Sequence, residues 1–457
     1  MLKLYNSLTK KKEEFKPIHA GHANIYSCGP TVYDHVHIGN LRAFLLPDLL
    51  QRVLRYVEHL DVTWVMNITD VDDKIIARAA RDNKSDEPIT ALGKLADRYT
   101  DVFINDIEKV GIDRADISRL PRATDNIAEI QELIRHLVAK QIAYISDGSV
   151  YFSLEHYKKA GHKYGVLANV QFNAQARVID DQDQKEGVGD FALWKAQKSD
   201  EPAWDFEIEG QNLRGRPGWH IECSVMSTKY LGQPFDIHTG GVDLKFPHHE
   251  NEIAQCGGDQ AHYYLHNEFV NVENSKMAKS VGNFLTIEDV KDPIAFRYLC
   301  LQAHYRSEMN YSSEVLAAAG ERLKNLRKYA DQLTLVKEDQ LAEDDKSGKV
   351  AEFMEKFNQS LQDDLNSPEA LAALSLLEGK AYNQQAKKAM QWADSVLGLR
   401  LVNDEPIAKP AQELISNYER ARERKDYEAS DKLREELEKE FGLGVSDTEI
   451  GTLIHRL

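Results

Sequence analysis

Residues 23–56 read ANIYSCGPTVYDHVHIGNLRAFLLPDLLQRVLRY. Ala23 to Cys28 is a strand candidate, and Gly29-Pro30 breaks it. From about Gly39, the residues Leu41, Phe44, Leu45, Leu49, Leu50, Val53 and Leu54 fall at helical spacing. Pro47 sits inside that helix and is expected to kink it. Val62 to Ile68 then reads as a buried strand, followed by the acidic turn Thr69-Asp70-Val71-Asp72-Asp73. Strand, turn, helix and strand make a βαβ unit, so the predicted fold class is α/β with a doubly wound parallel sheet. Ligands of such sheets bind beyond the carboxyl ends of the strands. Cys28 and His37 lie just past the first strand and Thr69 just past the next.

Outward from this unit, residues 126–214 read as an insertion with a hairpin signal at Asp147-Gly148 and a charged loop from Asp180 to Asp190. The sheet pattern resumes at Phe235–Gly241 and continues through Glu268–Val272, before a loop from Glu273 to Gly282. Amphipathic helices dominate from Glu314. Val402 to Pro410, with two prolines, reads as a linker to a small closing unit, Ala411–Leu457. No internal repeat or low-complexity tract stands out.

The chain has 457 residues, which as a prior is about three domains. Hydrophobic residues at 42% and charged residues at 29% fit a globular protein and exclude wholesale disorder. No apolar stretch approaches the roughly 18 residues of a membrane span. The opening MLKLYNSLTKKKEEFKP has charges where a signal peptide needs its apolar centre, so a cytoplasmic location is expected. Net charge of −17 argues mildly against a nucleic-acid partner, although a large chain can carry a local basic face. Four cysteines (Cys28, Cys223, Cys256, Cys300) are no disulfide framework; free, metal-bound or buried thiols are expected.

Two short motifs carry chemistry. His37-Ile38-Gly39-Asn40 stands at a strand-to-helix junction. A helix start offers free N–H groups and a positive dipole end, which suit phosphate, and Gly39 permits close approach. The imidazole and the amide, at i and i+3, can donate to one anion. Lys276-Met277-Ala278-Lys279-Ser280 lies in a loop ahead of Gly282. Its two lysines can form a mobile clamp for charge developing on a leaving pyrophosphate; a solvated surface loop is the plainer alternative.

HIGN and KMAKS, in that order on a nucleotide-binding sheet, resemble the HIGH and KMSKS motifs of class I aminoacyl-tRNA synthetases. Asn40 replaces the last His and Ala278 the central Ser. CGPTVYD, NITDVDDKII, GRPGWHIECS, FPHHENEIAQ, HYRSEMNYS and the C-terminal DKLREEL and GVSDTEIGT segments are similar to the cysteinyl-tRNA synthetase family, over nearly the whole chain. The resemblance implies a Rossmann-like catalytic domain (1–125 and 215–270), a connective insertion (126–214) and a KMSKS loop with stem-contact region (271–313). It further implies a helical bundle (314–401) and a C-terminal anticodon-binding unit (411–457). It implies an ATP-dependent ligase for L-cysteine and tRNA(Cys), with Mg²⁺ alongside ATP. A monomer is expected.

His248 and Glu252, at i and i+4, share one helix face. Cys28 ends a strand, and Cys223 sits in a second segment opened by Pro217-Gly218. Two thiols, an imidazole and a carboxylate can make a four-coordinate zinc site. Spacing alone, with no CxxC, leaves open that each Cys is merely a small buried hydrophobe. The resemblance implies Cys28, Cys223, His248 and Glu252 as ligands, with His249 the rival imidazole. Serine differs from cysteine only by OH for SH, and shape separates such pairs by about 1–3 kcal/mol. Zinc prefers thiolate to hydroxyl, so a substrate thiolate bound as a further ligand would make an editing site unnecessary.

The remaining roles are implied by resemblance alone. His37, Asn40, Lys276 and Lys279 are catalytic; with Gly39, Gly241 and Asp243 they bind ATP. Gly29, Thr69 and Trp219 hold the amino acid, and Arg422, Asp431 and Asp447 read tRNA. His35, His220 and His249 crowd the same pocket. The implied chemistry is attack of the cysteine carboxylate on the α-phosphorus, then transfer to a ribose 2′-OH. Three other readings stand beside it: a cysteine ligase acting on an amino-sugar, a non-catalytic tRNA-binding paralogue, and a structural zinc protein.

Overall fold

A computed structural model describes every residue except 84, 168–186, 188, 278–282, 336–340, 343–344, 379–381, 404 and 449–450, and the side chain of Lys276. The predicted loop from Asp180 to Asp190 therefore lies mostly outside the described residues.

The central sheet is four-stranded and wholly parallel, in the spatial order Ala261–Asn267, Phe235–Gly241, His22–Ser27, Asp61–Met66. From His22–Ser27 the chain crosses outward to Asp61–Met66; from Phe235–Gly241 it crosses the other way to Ala261–Asn267. The strand order thus reverses between the two middle strands, and a crevice opens at their carboxyl ends. Phe235–Gly241 is buried at every residue, as a central parallel strand must be. Its Asp236 is satisfied there by the N–H groups of Ile18 (2.6 Å) and Asn24 (2.8 Å).

The helix Ile38–Tyr56 connects the first two strands and buries Leu41, Phe44, Leu45, Leu49, Leu50, Val53 and Leu54. It runs unbroken through Pro47, which forgoes only its bond to the carbonyl of Ala43. Buried Arg42 ties this helix to the chain beyond the last strand, donating to the carbonyls of Glu268 (3.0 Å), Phe269 (2.7 Å) and Ser307 (2.6 Å).

One expected strand is misplaced. The sheet's last strand is Ala261–Asn267, not Glu268–Val272; Val270–Val272 belongs to a separate small sheet. His262, His266 and Asn267 mask the β-character of the true strand, whereas Val-Asn-Val displays it.

A second sheet, antiparallel, runs in the order Gly215–Pro217, Phe191–Ala196, Ser149–Phe152, Ala143–Ser146, so its first strand lies past the predicted end of the insertion at residue 214. Its predicted hairpin turns through Asp147 (φ 48°) and Gly148 (φ 77°), both left-handed as a tight primed turn demands.

The chain divides into two compact units: Met1–Lys291 with Tyr305–Asn310, and Asp292–His304 with Tyr311–Leu457. The second contains the helices Pro293–Gln302, Ser313–Thr334, Lys349–Gln362 and Gln384–Leu397. It ends in the helices Lys409–Glu423 and Tyr427–Phe441 and the hairpin Leu443–Thr448/Gly451–Arg456, closed over Ile415, Tyr418, Leu437 and Val445. The expected linker is shorter than predicted: Pro410 lies in the first turn of a helix, where its missing N–H costs nothing.

Candidate functional site

A cavity of about 420 Å³ occupies the crevice. Cys28, Gly29, His37, Gly39, Asn40, Trp219, Gly241 and Asp243 line it, joining both ends of the reading made from sequence. His35 and Met277 also lie on its wall.

His37 caps the helix Ile38–Tyr56. Its Nδ1 accepts the Asn40 N–H (3.1 Å), and the Asn40 Oδ1 accepts the His37 N–H (3.2 Å). This reciprocal box places the proton of a neutral imidazole on Nε2 and turns both side chains toward the cavity they line. Gly39 is needed here, since a Cβ would stand 2.9 Å from the His37 ring.

The thiol cluster forms the other end. Cys28 follows the strand His22–Ser27; Cys223 lies one turn into the helix Trp219–Leu231; His248 and Glu252 lie on the helix His248–Gln255, buried at all eight positions. Ligand atoms of these four residues all fall within 4.8 Å of one another. The sulfurs are 3.9 Å apart, and Cys28 Sγ is 3.8 Å from Glu252 Oε1. His248 Nε2 is 3.1 Å from Glu252 Oε1 yet is buried without a hydrogen bond to it or to any other group. A buried imidazole nitrogen left unbonded among two thiols and a carboxylate is arranged as a ligand of a shared ion. Tetrahedral zinc with Zn–S bonds of about 2.3 Å sets two sulfurs about 3.8 Å apart. The residues therefore fit the metal that the sequence implied.

A second grouping (Cys28, His238, His249, Glu252) overlaps the first. In it His238 Nε2 is already spent on Glu252 Oε2 (2.9 Å), and Gln260 donates to the same oxygen (3.0 Å). His249 meets Cys28 Sγ at 3.4 Å and His266 at 2.9 Å, and His266 meets Ser7 Oγ at 2.8 Å. These groups hold the Glu252 and Cys28 side chains from behind. His238, His266 and Gln260 were missed from sequence; the signal was a histidine inside an otherwise buried strand.

Electrostatics agree with an ion's place. Burial, then the neighbouring Cys223 and Glu252, push the Cys28 thiol far above its ordinary range. Burial and neighbouring imidazoles hold His248 and His249 well below theirs, and burial takes His220 down to about 3. Neutral imidazoles are the ligating form, and a cation would reverse the thiol's shift.

The other predicted residues are distributed as follows. Trp219, 40% exposed, stacks on the His248 ring at 4.1 Å. A Cβ on Gly29 would stand 1.8 Å from the Asn67 carbonyl oxygen, and the Gly29 N–H donates to the Asn67 side chain (2.9 Å). Thr69 is buried beside it: its hydroxyl accepts from Asn67 (3.1 Å), and its backbone pairs with Thr31 on the cavity wall. The backbone of Lys276 pairs with Asn271, but Lys279 lies outside the described residues. Arg422, Asp431 and Asp447 belong to the second unit. There Arg422 pairs with Asp447 (2.7 Å), Tyr418 donates to Asp447 (3.0 Å), and Arg434 joins Tyr418 (2.9 Å) and Asp431 (3.7 Å). None of the four cysteines is in a disulfide; Cys300 is buried, and burial pushes the Cys256 thiol up to about 12.

Residues 14–321 match the family described as "tRNA synthetases class I (C) catalytic domain". The chain is 39% identical to a cysteine-tRNA ligase of Caldicellulosiruptor saccharolyticus, all of each chain being covered. It is also 39% identical to one of Clostridioides difficile, again with full coverage of both. Among solved structures, Mycobacterium tuberculosis methionyl-tRNA synthetase with methionyl-adenylate superposes with a TM-score of 0.57 at 15% identity, over 83% of this chain and 90% of that one. Agrobacterium radiobacter LeuRS, solved with tRNA and LeuAMS, gives 0.58 at 11% identity, over 84% of each chain.

Proposed function

Because this chain belongs to the cysteine-tRNA ligase family of class I tRNA synthetases, we propose that it joins L-cysteine to tRNA(Cys) in two ATP-dependent steps. The cysteine carboxylate, ionised at neutral pH, attacks the α-phosphorus of ATP in line, giving cysteinyl-adenylate and pyrophosphate. No general base is needed, so the chain's task is positioning and charge stabilisation. His37 and Asn40 donate to the phosphates from the helix start, and Lys276 and Lys279 neutralise the departing pyrophosphate, with Mg²⁺ accompanying ATP. Gly241 and Asp243 hold the nucleoside. Gly29, Thr69 and Trp219 hold the amino acid. The terminal 2′-OH of tRNA then attacks the adenylate carbonyl, forming the cysteinyl ester and expelling AMP, while Arg422, Asp431 and Asp447 read the anticodon from the C-terminal unit.

Cys28, Cys223, His248 and Glu252 would hold zinc, which when bound supplies a soft Lewis acid that prefers the substrate's thiolate to serine's hydroxyl. Cys28, which both belongs to this cluster and lines the nucleotide-sized cavity, carries the reading: the amino acid's sulfur and its carboxylate fall in one enclosure. The division into catalytic domain, insertion, loop region, bundle and tail is retained with these roles. A monomer in the cytoplasm is the expected form.

Pyrophosphate exchange tests the reading. Exchange should depend on cysteine, fail with serine, and lead to stable acceptor labelling only with tRNA. Labelling of an amino-sugar instead, or no cysteine-dependent exchange, would overturn it.

A further inference from the structure

His35 lies on the cavity wall two residues before the helix-capping His37. Behind it stands Asp106, from the helix Pro88–Lys109, fully buried. Neither Asp106 oxygen has a hydrogen-bond partner, and neither does the buried Nδ1 of His35. The two face each other at 3.8 Å, His35 Nδ1 to Asp106 Oδ2. Lys109 approaches the other oxygen at 3.8 Å and also pairs with Glu288. Buried polar atoms are ordinarily satisfied, and an unbonded carboxylate is costly. Burial accordingly drives Asp106 upward, against the pull of Lys109 and His35. The pair stands about one ångström beyond hydrogen-bond distance. The imidazole is the movable partner, its side chain 41% exposed against 1% for the carboxylate.

We propose that His35, with Nδ1 held by Asp106, is a second imidazole contact for the ATP phosphates beside His37. This rests on the cavity being the ATP site. The start of the helix Ile38–Tyr56 draws phosphate to this wall, but its side chains leave it short of formal charge: Asn40 is an uncharged amide. A carboxylate at Nδ1 and a phosphate at Nε2 give both ring protons of an imidazolium an acceptor. Two unmet hydrogen-bonding needs are then resolved by one ligand. His35 binds; Asp106 touches no substrate and is a positioning residue.

The test uses the full-length zinc-loaded protein and the non-hydrolysable adenosine 5′-(α,β-methylene)triphosphate, titrated by calorimetry with adenosine as the control. His35→Ala should weaken the analogue about tenfold, leave adenosine within twofold, and raise KM for ATP but not for cysteine in the exchange assay. Asp106→Asn should weaken the analogue in the same direction and add nothing to His35→Ala in the double variant. If His35→Ala does not fold, His35→Gln, of similar reach but uncharged, is read by the same criteria. Analogue affinity within twofold of the parent, an equal loss for adenosine, or additive losses in the double variant would overturn the proposal. The titration needs no amino acid, so it reads His35 even if cysteine is not the substrate.

Discussion

Glu252 divides its two oxygens between two duties. Oε2 is held by His238 and Gln260, which leaves Oε1 toward His248 and Cys28. One carboxylate thus links the cluster that could hold a metal to the groups behind it. Cys28 has a comparable double position, as a cluster sulfur and as cavity wall. Cys28→Ser removes a soft donor from both. The variant is expected to retain less zinc by metal analysis, and its preference for cysteine over serine in exchange should fall to what shape provides, about 10- to 200-fold. Undiminished discrimination would refute thiol recognition by the metal. Spacing marks Cys28 after a strand and His248 with Glu252 at i, i+4, but it does not join them to Cys223; only the resemblance to a family names the four together. The same resemblance puts His248 ahead of His249, and the physical support for that choice, a His248 Nε2 buried without a hydrogen bond beside a His249 already paired with His266, is a property of the folded pocket.

At the scale of elements, the crossing pattern could be read from residues 23–68, where a strand break, a helical stripe and a second apolar run follow in order. The edge strand Ala261–Asn267 could not, because its buried His266 serves the site and, with exposed His262, dilutes the pattern. The C-terminal hairpin shows a second device hidden from sequence. Arg456 donates to buried Asp331 of the helix Ser313–Thr334 through its backbone N–H (2.8 Å) and its guanidinium (2.9 Å), and further to the Asn403 carbonyl (3.1 Å). This clamp fixes to the bundle the hairpin that carries Asp447. Arg456→Ala removes a charged partner from Asp331, at a cost of about 1–3 kcal/mol. Exchange should stay within twofold of the parent while KM for tRNA in aminoacylation rises several-fold. An equal loss in both assays would show that the clamp serves the whole chain rather than the tail.

For the molecule as a whole, the first unit concentrates buried neutral histidines. His220, His248, His249 and His266 are all depressed, chiefly by burial. Their unfolded values lie near ~6.5, so above that pH neither state binds the proton and nothing is lost. Below it the unfolded chain takes up protons that the folded chain refuses. Stability then falls by up to about 1.4 kcal/mol per pH unit for each group, and for His220 the loss continues until pH reaches about 3. Glu222, Asp70 and Asp106, all raised chiefly by burial, act in the opposite sense, gaining folded-state stability as pH falls, but the four imidazoles outnumber them. Thermal unfolding followed from pH 7.5 to pH 5 should show a steadily falling Tm, and a flat profile would contradict the depressed values. The division into units has a further consequence. The first unit takes up Tyr305–Asn310 after the chain has already entered the second. Those residues supply the Tyr305 carbonyl to Glu268 (2.8 Å), the Met309 N–H to Phe269 (3.1 Å) and the Ser307 carbonyl to Arg42 (2.6 Å). A nascent chain therefore cannot complete its first unit until residue 310 has left the ribosome, and a fragment cut at residue 291 would lack these three bonds.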